Sequence, residues 1–292
     1  MEFKKKCPLC KNTAHQIFSN LNNKIYQCDF CKLGFLVPIP SKQFLKKFYS
    51  KNYFKKNSSA YGYKNYREMT SSLRMEADRK INFIKKFVSV KSSHLDIGSG
   101  LGDFALQARE ADFGSEVLDI STWAVDVAKK RGLRGYISDL SLSSLPNKKF
   151  KLLTAWDVIE HLRDPLEGMK AFSHLMSKGS HLFLTTPNLD SFERKLMGPL
   201  WYGFKKIPEH VFYYSPASLK YLASLCSLEI LEVKTWGFVR DLNFISERLA
   251  NYNRLIGTFS SVLINMCKIG RKNVYFPIVD MMVVLKKVKN IK

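Results

Sequence analysis

The sequence predicts an α/β fold: a doubly wound, seven-stranded, mostly parallel sheet, preceded by a small N-terminal module. Three observations predict it. Short apolar runs alternate with segments of helical period from residue 66 onward. The first of these runs, HLDI, opens directly into three glycines at every second position, Gly98, Gly100 and Gly102. Residues 1–45 instead carry four cysteines in two close pairs. The expected organisation is a module over 1–45, a helical lid or linker over 46–92, and the main domain over 93–292. A helical insertion is expected within that domain at about 240–272.

A chain of 292 residues with 46% hydrophobic content can bury a full core and reads as globular. No apolar run reaches the ~18–20 residues of a membrane span, and MEFKKKCPLC lacks an apolar leader. A cytoplasmic location without a transmembrane segment is therefore expected, with peripheral contact at a membrane as a variant. The formal charge of +22 suits an anionic partner: nucleic acid, a nucleotide-linked substrate or an acidic membrane surface. Its spread along the chain in short Lys pairs favours a compositional origin instead. The stretches 4–6 and 42–56 are the candidates for a functional basic face.

The cysteines lie in CPLC, Cys7 and Cys10, and CDFC, Cys28 and Cys31, with seventeen residues between the pairs. Two such knuckles suit a tetrahedral Zn²⁺–thiolate site, because each puts two sulfurs on one turn and the intervening loop lets the pairs converge. Four protein ligands would close the site, so the metal's role would be structural. KIYQC reads as a strand entering the second knuckle. A piece this small has little core of its own, and metal binding can supply the missing stability. Free buried thiols and disulfides are the alternatives, and a cytosolic setting argues against the second. Cys226 and Cys267 stand alone in apolar surroundings and are expected in the core.

Helical period over 66–90 leads to the strand HLDI, the glycine turn and a helix from Phe104. The turn is G-x-G-x-G. The third glycine of a dinucleotide fingerprint would fall at position 103, which is Asp103, so a nicotinamide cofactor is disfavoured. A plain strand-to-helix turn is the alternative. Asp119 ends a second strand, 23 residues beyond Asp96, where an acid can accept hydrogen bonds from both ribose hydroxyls. Asp139 follows a third strand, GYIS. KLLTAW is a fourth, running into DVIEHL, and SHLFLTTPN a fifth. All these motifs fall at strand carboxyl ends, where doubly wound sheets bind ligands.

Together, LDIGSGLG, VLDIS, AWDVIEHLRDP, LFLTTPN and PEHVFYYSPASLKYL resemble class I, Rossmann-like S-adenosylmethionine-dependent methyltransferases of the methyltransferase-11/12 type. Within that family the resemblance is to small-molecule enzymes of sugar, polysaccharide and quinone biosynthesis. The resemblance covers roughly Arg67 to Trp236, and the cysteine-bearing front with CKLGFLVPIP and FYSKNYF resembles the N-terminal piece of some sugar methyltransferases. It implies that Asp96 orients the amino group of S-adenosylmethionine and that Gly98, Gly100 and Gly102 admit its methionine part. Asp119, with Ile120, would hold the ribose. Asp139 and Leu140 would flank the adenine, and Trp156 and Asp157 would close the site. The implied activity is methyl transfer to a small molecule: a sugar, a nucleotide-sugar, or a polysaccharide or lipid-linked glycan precursor.

Methylation of a hydroxyl needs a nearby base, which favours histidine. His210, in the aromatic-rich loop after strand five, is the first candidate, as substrate contact and base. His161, in IEHL, is the second. A packed loop and a helix brace are the respective alternatives. Trp201, Tyr202 and Tyr213 are candidate substrate contacts. The two residues Trp201 and Tyr202 would stack on a sugar or ring face, or belong to the core. EILEVKTW is expected as strand six and DMMVVLKKV as strand seven, which the resemblance makes antiparallel at the sheet edge. Between them LIGTFSSVLINMCKI, flanked by Arg254, Lys268, Arg271 and Lys272, would be a buried helix, a dimer contact or a helix on an anionic membrane. Two other functions compete: an RNA methyltransferase that grips RNA through the zinc module and basic charge, and a non-catalytic binding protein. The first lacks the N/D-P-P-Y/F motif of many base methyltransferases.

Overall fold

The computed structural model describes residues 4–20, 22–41, 43–44, 48, 70–250 and 254–289. Two sheets organise them. The larger has seven strands: β5 (Ser93–Ile97), β6 (Gly114–Asp119), β7 (Arg134–Ile137), β8 (Phe150–Trp156), β9 (Met176–Pro187), β11 (Leu228–Asp241) and β12 (Asn273–Lys287). Their order is β11-β12-β9-β8-β5-β6-β7. Strands β9, β8, β5, β6 and β7 run parallel, and β12 runs antiparallel to both its neighbours. The order reverses between β5 and β8, which opens a crevice at their carboxyl ends.

The inner parallel strands β5, β6 and β8 and the second half of β9 are buried on both faces, while the edge strand β7 is not. Strand β12 departs from the expected edge position: it lies between β9 and β11, and β11 forms the edge. The reason is visible in the side chains. MMVVL is buried throughout, whereas the first half of β11 alternates between covered and exposed residues. Helix α1 (Thr70–Ile84) lies within the segment expected as a lid or linker. Its Ile81, Phe83 and Ile84 pack with Phe113, Phe183, Trp236 and Met282 against the sheet face. Residues 46–47 and 49–69 of the expected lid or linker, and most of the basic stretch 42–56, lie outside the described residues.

Helices α2 (Asp103–Glu110), α3 (Thr122–Lys130) and α4 (Pro165–His174) make the crossovers. Ser121 caps α3 through the Ala124 amide, and Asp164 caps α4 through Leu166 and Glu167 at 2.9 and 3.0 Å. After β9 come the short helices α5 (Phe192–Met197) and α6 (Tyr202–Lys205), the two-residue strand β10 (Phe212–Tyr213) and helix α7 (Pro216–Ser224).

The smaller sheet has the order β1-β2-β3-β4-β10, with β1 (Lys5–Lys6), β2 (Thr13–Asn20), β3 (Asn23–Cys28) and β4 (Gly34–Val37) all antiparallel. Its last strand comes from the main domain: Phe212 pairs with Phe35 and Tyr213 with Gly34. Gly34 is required there, since a Cβ would lie 2.8 Å from Tyr213 Cβ. One apolar core runs through both sheets, from Cys7, Ala14, Tyr26 and Leu33 to Leu95, Phe150, Phe172 and Leu184.

The insertion forms a helical hairpin, α8 (Leu242–Ala250) and α9 (Arg254–Met266), carried by the β11–β12 pair. It is not a buried helix: the large apolar side chains of α9 face outward. Cys226 is in the core as expected, but Cys267, at the end of α9, is exposed. Among the described residues no helix is long and apolar enough to cross a membrane.

Candidate functional site

The glycine turn leaves β5 at the crevice. Gly98, Gly100 and Gly102 all have positive φ, at 67°, 54° and 82°, a conformation that glycine adopts without steric cost. A Cβ at Gly98 would lie 2.5 Å from Val158, and one at Gly102 2.7 Å from Leu133. The turn is therefore both bent and crowded, and exposes its backbone toward the crevice.

Asp119, at the end of β6, is buried and fixes this turn. One carboxylate oxygen accepts from the Gly100 amide at 2.9 Å, the other from the Ser121 amide at 2.8 Å. Each oxygen keeps a further lone pair. Burial raises its pKa, while the amides pull it down. Ile120 follows it, half-buried. On the next strand end, Asp139 is exposed and accepts from Ser141 Oγ at 2.6 Å. Leu140 is buried with φ 64°.

Asp96 lies deeper, within β5. Strand register sets it beside Thr154 and sets His94 beside Ser115. A buried chain results: Thr154 Oγ1 donates to Asp96 at 2.6 Å, His94 Nε2 meets Thr154 at 2.8 Å, and His94 Nδ1 meets Ser115 at 2.9 Å. Burial pushes Asp96 up to about 7 and His94 down to about 3.

Trp156 and Asp157 end β8. Trp156 packs edge-on to Phe104, with Lys80 Nζ 4.4 Å from its ring centre. Asp157 has φ 53° and accepts from Thr185 Oγ1 at 2.7 Å. Around the turn, Ser99 Oγ, Asp103 Oδ2 and Trp156 Nε1 are buried without a hydrogen-bond partner among the described residues. A nucleoside bearing an amino acid supplies donors and acceptors of the kind these atoms lack, so the residues present fit S-adenosylmethionine.

Beyond β8, the chain brings three further groups together. Leu36 of β4 donates to the Val211 carbonyl at 2.9 Å, and the Val211 amide donates to the Glu160 carbonyl at 2.8 Å. His161 Nδ1 donates to the Glu209 carbonyl at 2.9 Å. These bonds clamp 209–211 onto the 159–161 turn. His161 and His210 consequently sit edge to face, with ring centres 4.9 Å apart. Ligand atoms of Glu160, His161 and His210 all lie within 4.8 Å of one another, close enough for one divalent cation to bridge. Both oxygens of Glu160 and both ring nitrogens of His210 lack hydrogen-bond partners among the described residues.

Desolvation governs this cluster. Burial, and secondarily Asp157, push Glu160 well above the usual carboxylate range. Burial and Lys206 push His161 down to about 4; burial, then His161 and Lys206, hold His210 well below its usual value. Both imidazoles are thereby held uncharged at neutral pH, and burial favours the protonated form of Glu160.

Two expected substrate contacts are core residues. Trp201 and Tyr213 are buried with Ile25, Leu36, Leu189 and Phe204 against the small sheet, so neither offers a face to an acceptor. Tyr202 is half-buried and donates its hydroxyl to Asp280. Asp280 was not anticipated, nor was Glu209; the available signal was an acid heading the otherwise apolar strand MMVVL. Burial, then Asp157, raise Asp280 to about 7. It lines a cavity of about 380 Å³ with Asn188, Asp190, Phe192 and Thr235.

At the front, the Sγ atoms of Cys7 and Cys31 are 3.6 Å apart and those of Cys10 and Cys28 3.4 Å, with all four within 4.8 Å. The knuckles share one geometry: Lys11 and Lys32, each following the second cysteine of its pair, both have φ 61°. This donor set could also hold a metal.

The main domain is similar to known proteins. A family model described as a methyltransferase domain matches residues 69–233, more than half of the chain. A ubiquinone biosynthesis O-methyltransferase of Coxiella burnetii is 25% identical over 169 residues, covering 53% of this chain and 71% of that protein. The Haemophilus ducreyi protein of the same name is 27% identical over 161 residues, covering 49% and 68%. Among solved structures, magnesium protoporphyrin IX methyltransferase from Synechocystis, solved with bound SAH, superposes with a TM-score of 0.55 at 11% identity, covering 85% of this chain and all of that one. A SAM-dependent methyltransferase from Archaeoglobus fulgidus gives 0.50 at 20% identity, covering 75% and 97%. These structures share the fold. The chain thus belongs to the methyltransferase-domain family and is an S-adenosylmethionine-dependent methyltransferase.

Proposed function

We propose that the methyl acceptor is a hydroxyl oxygen of a small molecule: a sugar, a nucleotide-sugar, or a polysaccharide or lipid-linked glycan precursor. One observation carries this reading: two uncharged imidazoles, His161 and His210, meet beside a desolvated Glu160 next to the cofactor crevice. Bound S-adenosylmethionine supplies an electrophilic methyl on a sulfonium. The protein must hold the acceptor oxygen within ~3–3.5 Å of it, in line, and keep water out. A hydroxyl loses its proton as it is methylated, so a neighbouring group must take that proton. His161 donates through Nδ1 to the Glu209 carbonyl, which fixes the tautomer and leaves Nε2 as the acceptor. The polar lining around Asp280, Asn188 and Asp190 suits a hydroxyl-rich acceptor.

In the cofactor crevice, Gly98, Gly100 and Gly102 would admit the methionine part and Asp119 the ribose. Asp139 and Leu140 would border the adenine, with Trp156 and Asp157 closing the site and Asp96 acting from beneath. The name shared by the relatives, an O-methyltransferase, supports oxygen as the acceptor atom and favours a second reading, a phenolic acceptor of the quinone-biosynthesis kind.

The four thiols are read as the holders of a structural Zn²⁺. Their 3.4 and 3.6 Å sulfur separations approach the ~3.8 Å edge of a tetrahedron with ~2.3 Å Zn–S bonds.

The deciding measurement follows label from methyl-labelled S-adenosylmethionine into fractionated cell extract. Label in a polar or lipid fraction is expected, and chemical analysis of that fraction names the acceptor. Label in RNA would overturn the proposal and turn the +22 charge into a recognition surface.

A further inference from the structure

Helix α9 is assembled the wrong way round for water. Its small residues face the protein: a Cβ on Gly257 would lie 2.2 Å from Ala250 Cβ of α8. Ser246 Oγ donates to the Gly257 carbonyl at 3.1 Å and meets Ser260 Oγ at 2.9 Å. Its large apolar residues face outward. Phe259 is 68% exposed and Met266 74%, with Val262 and Leu263 about half exposed between them. These positions recur at three- and four-residue steps, so they form one stripe. Scattered exposed apolar residues are ordinary, but a contiguous stripe marks a binding surface.

The charges around the stripe select the partner. Arg254 stands at its start, and Lys268, Arg271 and Lys272 at its far end, all exposed. No acidic residue occurs from Arg254 to Asn273. A second copy of the chain would set these four cations against their equivalents, on a molecule already carrying +22. An anionic bilayer instead takes apolar side chains into its acyl boundary and cations at its head groups. A helix of 13 residues is about 20 Å long, too short to span and long enough to lie in the interface.

We propose that α9 docks this enzyme in the plane of an anionic lipid surface, Phe259, Val262, Leu263 and Met266 immersed and Arg254, Lys268, Arg271 and Lys272 on the head groups. The docking does not depend on which acceptor is methylated.

The test uses the full chain in vesicle co-sedimentation. Vesicles of phosphatidylcholine mixed with phosphatidylglycerol should bind it, pure phosphatidylcholine should bind it at least ~10-fold more weakly, and added salt should weaken the former. A chain this basic could adhere to anionic lipid by charge alone, so variants of unchanged charge decide. Phe259→Ser with Met266→Ser should lower affinity for the mixed vesicles at least ~10-fold, and Phe259→Trp should retain it. Unchanged melting temperature and S-adenosylhomocysteine binding would show that the double variant is folded. The proposal is overturned if that folded variant binds as well as wild type. It is equally overturned if the wild type is a dimer that the double variant abolishes, which would assign the stripe to a second copy.

Discussion

Asp119 holds two backbone amides at once, those of Gly100 and Ser121, and so connects the glycine turn to the start of α3. Asp119→Ala frees the turn and removes the acceptor for the ribose. S-adenosylhomocysteine affinity should fall ~100-fold by calorimetry, two charge-assisted bonds being involved. Asp139 is exposed, and Asp139→Ala should cost ~10-fold or less. Wild-type affinity in both would mean that the cofactor lies elsewhere. His94 makes a different prediction. Its folded pKa is about 3, because burial disfavours the charged ring. The unfolded ring titrates near ~6.5. Between these values the unfolded state binds the extra proton, so the contribution of His94 to stability is lost as pH falls from ~6.5 toward 3. Asp96 has the opposite sign: its folded pKa is raised to about 7, so its term costs stability as pH rises through ~4 to 7. His94→Gln should be less stable than wild type at neutral pH. The gap should narrow by ~1.4 kcal/mol per pH unit between pH ~6 and ~4, read by urea unfolding. A constant gap would show that folded His94 takes up the proton.

The short pairing of β4 with β10 decides where His210 sits, because Val211 is tied to Leu36 on one side and Glu160 on the other. Gly34→Ala tests it. The added Cβ would press on Tyr213 Cβ at 2.8 Å and on its carbonyl at 3.2 Å, and that backbone cannot yield. The variant should lose ~1–3 kcal/mol of stability. Its kcat should fall while cofactor affinity holds, because β5 and β6 are untouched. Equal loss of both would mean that the disturbance spreads through the core. This clamp was beyond what the sequence could show. Strands β5, β6, β8 and β9 were legible because burial leaves each a short, mostly apolar stretch ending at a recognisable turn or acid. Strand β2, TAHQIFSN, was not, because it is held by backbone pairing with much of its surface in water. The glycine turn and strand-end acids were legible as local patterns. The meeting of Glu160 with His210 was not, since it depends on a contact between residues fifty apart that the His161–Glu209 and Val211–Glu160 bonds and the added β10 strand enforce. Trp201 and Tyr213 look alike as substrate contacts or core residues until the sheet they pack against is known.

Across the whole molecule, the core and the hairpin differ in how firmly they belong. The core passes without interruption from the cysteine-bearing sheet into the α/β layers. The two should therefore unfold in one transition, and metal chelation should lower the melting temperature of that single transition rather than release a separate one. The hairpin α8–α9 is anchored differently. It rests mainly on itself, through Gly257, Ser246 and Ser260, and leaves the sheet between Asp241 and Asn273, which are paired across β11 and β12. Those two residues already lie side by side, so a short turn can replace 242–272 without moving either strand. Helix α1 would lose little, since its Glu76 is held by Trp236 and Val239, both before the cut. The shortened chain should keep S-adenosylhomocysteine affinity within ~3-fold and melt within a few degrees of wild type, an ordinary outcome for an excised surface element. Its affinity for anionic vesicles should fall at least ~10-fold, as in the double variant. Loss of cofactor binding on excision would instead make the hairpin part of the catalytic fold, and its outward apolar stripe would then need an explanation within the domain.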